Sequence, residues 1–106
     1  MPTYLWRASY TTDGVKGLIK DGGTKRRAAI QQMVEQTGGK LHAFYFALGE
    51  ADVFCIAEFP DVATAVAVSA TVNASGMVRL SSTLLVSPEE FDTASKKAIA
   101  YRPPGA

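Results

Sequence analysis

The chain has one cysteine, one histidine and almost no net charge, and each scarcity removes a class of protein. A lone thiol, Cys55, cannot close an intrachain disulfide, and between Phe54 and Ile56 it reads as a small buried hydrophobe. That usage suits a reducing, cytoplasmic setting. His42 has no second His or Cys at ligand spacing, so neither a metal nor a cofactor is expected. Eleven basic side chains against ten acidic ones leave a formal net charge of +1. Such a balance makes no broad field for phosphate backbones or anionic lipid, and nucleic acid and membranes are not expected partners. The longest weakly polar stretch, Val62 to Val72, falls well short of the ~20 residues a membrane helix needs and reads as a buried helix face. Arg7 interrupts the apolar start of the chain, so no signal peptide is expected. No nucleophile triad, phosphate loop or dinucleotide fingerprint is present. Gly22-Gly23 and Gly38-Gly39 lack the glycine spacing and the strand-to-helix context, and read as turns.

What is present, over 106 residues, is one core: a single domain over residues 1–98 and a flexible tail over 99–106 that carries Pro103, Pro104 and Gly105. Thr3 to Thr11 alternates Tyr4, Trp6, Ala8 and Tyr10 with Leu5, Arg7 and Ser9, which predicts a first strand. Val15 to Lys20 is expected to be a loop or a single helical turn, closed by Asp21-Gly22-Gly23. Thr24 is placed to cap a helix with the stripe Ile30, Met33, Val34 and Thr37, stopped by Gly38-Gly39. Leu41 to Leu48 and Asp52 to Phe59 read as a hairpin around Gly49-Glu50-Ala51. Asp61 is placed to cap a second helix to about Ala74. Its run of valines makes a strand the competing reading, and length and Gly76 favour the helix. Met77 to Val86 alternates as a fourth strand. Ser87-Pro88-Glu89-Glu90 then opens a last helix, with Ser87 as cap and Glu90 completing a capping box.

The order strand, helix, strand, strand, helix, strand, plus an appended helix, predicts an α+β fold. It is the ferredoxin-like βαββαβ pattern, an antiparallel four-stranded sheet with two helices on one face. Alternation does not divide the middle strands into one apolar and one polar face: Val53, Cys55 and Phe59 oppose Phe54 and Ile56. Helices cover one face only, so the other is expected to pair with a second copy, giving a homodimer or larger homo-oligomer.

These residues resemble the GYD-domain family. The resemblance covers roughly Pro2 to Phe91. It is carried by Pro2-Thr3-Tyr4, the stretch from Tyr10-Thr11 to Asp13-Gly14, Phe44-Tyr45-Phe46 to Gly49, Asp52-Val53, Gly76 with Val78-Arg79, and Ser87-Pro88-Glu89-Glu90-Phe91. The turn that names the family is Gly49-Glu50-Ala51-Asp52 here, with alanine in place of the tyrosine. The acidic residue that commonly follows the arginine of the last strand is also missing, because Leu80 and Ser81 follow Arg79. The resemblance implies a dimeric α/β barrel. It implies little chemistry, since relatives by fold include cofactor-free monooxygenases, haem-degrading enzymes, lactone isomerases and ligand-sensing domains.

Candidate site residues follow from side-chain chemistry. His42, expected on the same strand face as Phe44 and Phe46, is a candidate general base. With Tyr45 and Arg79 it makes up the weak catalytic set, and a surface or satisfied polar role is the alternative. Trp6, Tyr10 and Tyr45 offer apolar walls with polar tips. Arg7 and Arg79, expected on inner strands, either clamp an anion, pair with Glu58 or cross an interface. A ligand site would thus draw on Trp6, Arg7, Tyr10, His42, Tyr45 and Arg79, between sheet and helices or at the barrel mouth. Gly49 and Asp52 are assigned to holding the turn, Gly49 through an unusual backbone conformation. Lys25, Arg26 and Arg27 read as a solvated helix face. Two functions of different class remain: a small-molecule-binding or oligomerising module, and a cofactor-free enzyme of the monooxygenase or isomerase kind. The lack of an evident acid–base pair favours the module.

Overall fold

The computed structural model describes all 106 residues. Side chains alternating large and apolar with smaller or polar ones build the first strand, β1 (Thr3–Tyr10); β2 (Lys40–Phe46) and β3 (Val53–Glu58) carry apolar side chains on both faces, and β4 (Val78–Leu85) completes the set. They form one antiparallel sheet in the order β2-β3-β1-β4. Helices α1 (Thr12–Asp21), α2 (Gly23–Gln36) and α3 (Val62–Ala74) connect the strands, and α4 (Pro88–Ser95) follows β4. The architecture is α+β with an open four-stranded sheet, compatible with the ferredoxin-like arrangement. No helix is long and apolar enough to cross a membrane.

The core lies between the central strands and the helices. Tyr4, Trp6 and Ala8 of β1 sit opposite Ala57, Cys55 and Val53 of β3, all buried. Val34 from α2, with Ala65 and Val68 from α3, closes the layer. Phe59 is wholly buried, its ring 5.4 Å from that of Trp6 and 6.2 Å from that of Tyr4. Each such large side chain contributes about 1.5–3 kcal/mol by leaving water.

Several elements differ from expectation. The stretch expected as a loop or one turn is a helix of ten residues, α1, capped by the Thr11 hydroxyl, which accepts from the Gly14 N–H at 3.2 Å. Gly14 and Gly17, poor helix formers, conceal it in the sequence. Gly14 is there for closeness: a β-carbon at that position would run into the Met77 carbonyl at the entrance to β4. Gly22, at φ +87°, swings the chain from α1 into α2. It also takes the cap position expected of Thr24 and offers no side-chain bond there. The strands β2, β3 and β4 each end short of the ranges read from alternation. Since β4 is an edge strand, Arg79 is not on an inner strand, whereas Arg7 is.

The valine-rich segment is helical. The Asp61 carboxylate accepts from the Thr64 N–H at 2.7 Å, and Ala65 and Val68 form its buried stripe. Farther along α3, the Asn73 amide accepts from Leu80 N–H at 2.7 Å and donates to Leu80 C=O at 3.1 Å. This satisfies part of the free edge of β4, which would otherwise be open to another strand. The last helix begins with the capping box of Ser87 and Glu90. It packs against no other element to any extent. The radius of gyration, 16.9 Å, accordingly exceeds the roughly 13 Å of a compact chain of this length.

Candidate functional site

The two sheet faces differ, and a bulge in β2 decides which residues belong to which. Leu41 pairs with Ala57 and Ala43 with Ile56, so His42 is the extra residue. An inserted residue reverses the alternation beyond it. Leu41 therefore joins Phe44 against the core, while His42 does not share that face as the alternation predicts. Its Nε2 instead lies 2.9 Å from Glu58 Oε1. The His42 hydrogen bond holds the Glu58 carboxyl below the usual carboxylate range.

Arg7, Tyr45 and Arg79 belong to the face that carries no helix. Arg7 pairs with Phe54 and Ser81, Tyr45 with Phe54, and Arg79 with Ser9. The two arginines are thus diagonal neighbours across β1 and β4, both exposed and neither ion-paired. Glu58 is engaged by His42 and opposes Thr3, far down the strand from Arg79, so the pairing considered for the arginines is not formed. On this face Leu5, Tyr45, Phe54 and Ile56 make an apolar band across β1, β3 and β2, beside the polar row Arg79, Ser81 and Thr83 of β4.

Trp6 and Tyr10 point the other way, into the layer beneath the helices. The structure brings these two of the six ligand-site candidates to one cavity and leaves the other four outside it. The inner part, about 30 Å³, is walled by Trp6, Ile30, Met33, Cys55 and Val72. A separate, wider pocket of about 240 Å³, the mouth beside α1, is lined by Gly14, Leu18, Asp21 and Met77 among others. Tyr10, Arg26 and Val78 line both. Burial pushes the Cys55 thiol up to about 12, with the Arg26 charge pulling weakly against it. The thiol therefore stays protonated and is no nucleophile.

Arg26 is the residue that sequence reasoning missed. Read as part of a solvated basic cluster, it is half-buried, and its Nε is shielded from solvent with no acceptor in reach. No carboxylate comes within ion-pair distance of it. The nearby Asp21 lies 3.8 Å from the Lys25 Nζ. A sequence signal exists: Arg26 stands four residues before Ile30 and seven before Met33, at the head of the apolar stripe of α2.

The β2–β3 connection is held by Asp52. Its carboxylate accepts from Tyr10 N–H at 2.9 Å, its own N–H donates to Ala8 C=O at 2.8 Å, and its C=O accepts from Ala47 N–H at 2.8 Å. Gly49 has no positive φ, and a β-carbon there would meet nothing within 4 Å. The unusual backbone expected of it is not present.

An open antiparallel four-stranded sheet with helices on one face makes this an α+β domain. Within that class the chain belongs to the GYD-domain family, whose family model matches residues 4–94. Comparison with curated proteins and with solved structures returns no match.

Proposed function

We propose that this protein is a small-molecule-binding module that assembles with copies of itself through its bare sheet face. The observation that carries the binding function is a pair of adjoining pockets, a wider one beside α1 and a small apolar one at Trp6, which share Tyr10, Arg26 and Val78 as walls. Largely apolar walls with a few convergent polar groups are the usual make-up of a ligand pocket. Its size lies below the ~300–1,000 Å³ of drug-sized sites, so the occupant is small. Binding is favoured over catalysis because the one His–Glu pair lies on the opposite side of the sheet, and Cys55 stays protonated.

Assembly is supported by the apolar band Leu5, Tyr45, Phe54 and Ile56. A second sheet laid over it would complete the dimeric barrel and enclose Arg7, His42, Tyr45 and Arg79 along the seam. The chain's only tryptophan, Trp6, lines the cavity and reports its occupancy. A compound that enters should shift tryptophan emission and raise the unfolding temperature, because a ligand selective for the folded state stabilises it. Tyr10→Ala should weaken both responses, and Tyr45→Ala should leave them unchanged. A broad screen that moves neither signal would refute the binding function.

A further inference from the structure

We infer that the wider pocket beside α1 takes a small organic monocarboxylic acid, its apolar body against Tyr10, Leu18 and Met77 and its carboxylate held by Arg26. This rests on the binding function proposed above and names the ligand class. Arg26 is the one side chain that lines both the apolar interior and the mouth while carrying a full positive charge. Its Nε is the only buried side-chain nitrogen or oxygen in the protein without a hydrogen-bond partner. Such a group is costly to leave unmatched, and a guanidinium is matched best by a carboxylate, which can accept two parallel N–H groups.

The protein's own acids do not fill that role. Asp21 is taken by Lys25, and Asp13, although it lines the mouth, forms no ion pair with Arg26. Both still set the selectivity. Two carboxylates at the rim disfavour a second negative charge on the ligand, so a monoanion is accepted where a dicarboxylate or a phosphate ester is repelled. Tyr10, Leu18, Met77 and Val78 supply apolar wall in the wider pocket, which suits a hydrocarbon or aryl body beside the carboxylate.

The test uses benzoate, phenylacetate and hexanoate at millimolar concentration beside their neutral amides, read by Trp6 emission and unfolding temperature. The acids should bind the wild-type protein about tenfold or more tightly than the amides, the loss expected for one charge-assisted pair. Arg26→Met keeps the length and apolar stem of the side chain and should abolish the preference while leaving the chain folded. Arg26→Lys, which keeps the charge, should retain part of it and supplies the comparison should the Met variant fold poorly. Acids and amides binding alike, or an undiminished preference in the Met variant, would overturn the assignment. Amides binding without acids would also overturn it while leaving the pocket itself in place. If neither series bound, the assignment and the pocket would fall together.

Discussion

Two glycines illustrate how differently the same residue type acts. Gly14 lies where α1 meets the entrance to β4, and any side chain there presses on a backbone carbonyl that cannot move aside. Gly14→Ala should destabilise by about 1–3 kcal/mol, as overpacking does, despite the better helix propensity of alanine. Gly49 has room and an ordinary backbone, so Gly49→Ala should change stability by no more than about 0.5 kcal/mol. Denaturant melts of the two variants should separate by at least about 0.5 kcal/mol on these magnitudes. Equal stabilities would show that the β4 entrance yields.

Single residues also explain where sequence reasoning stopped at the site. Trp6 and Tyr10 are legible as pocket residues because strict alternation in β1 places them with Tyr4 and Ala8. His42 is not legible, since a bulge is a matter of pairing between strands, and nothing in Leu41-His42-Ala43 announces it. Arg26 was obscured by its neighbours: Lys25 and Arg27 make it look like one of three solvated cations, and only the turn of α2 separates it from them.

Among the elements, the bulged strand β2 has a pH signature. The Glu58 carboxyl titrates below its ordinary value in the folded protein because His42 donates to it. A depressed folded pKa gives stability that is present above the unfolded value, ~4.3, and is lost as pH falls through the folded one. The stability gap between the wild type and His42→Ala should therefore be full above the ordinary carboxylate range and should shrink as pH falls through and below it. Thermal melts across that range check this, and a gap independent of pH would show that the pair does not couple to folding.

The last helix behaves differently because it has no neighbour. Ser87 and Glu90 cap it well, yet Phe91, Ile99 and Tyr101 in and beyond it stay largely exposed. Ser87→Ala should cost α4 about 1 kcal/mol of local stability. In the isolated protomer the main unfolding transition should not move, because α4 opens on its own. Hydrogen exchange over residues 88–95, faster in the variant at an unchanged melting temperature, is the expected pair of results. A lowered melting temperature would mean that α4 is tied to the body, directly or through a partner copy.

For the whole molecule the decisive feature is a sheet covered on one side only. Leu5, Tyr45, Phe54 and Ile56 form one band there, large side chains on three adjacent strands. A partly exposed apolar band on a sheet suits the assembly surface proposed above. Light scattering at micromolar concentration should show a dimer or larger species, and Ile56→Asp should return it to a folded monomer by burying an unpaired charge at the seam. A wild-type protein that is already monomeric would leave the sheet face without its proposed partner.

What the sequence by itself determined is the number of strands and their order along the chain, the capped helices α3 and α4, and the burial of Cys55. Local periodicity, caps and breakers carry that information, and each acts within a few residues of chain. Only the tertiary structure decided that His42 leaves the core face, that Arg79 is on an edge, that α1 is a helix docked through Gly14, and that Arg26 lines an apolar cavity. Each of these depends on contact between segments far apart in sequence: a register between strands, a helix laid against a strand entrance, a side chain turned beneath its own helix. Periodicity says which face of an element is apolar. It does not say which neighbour that face will meet, and the cavity with its unpartnered guanidinium exists only where those neighbours fail to fill the space between them.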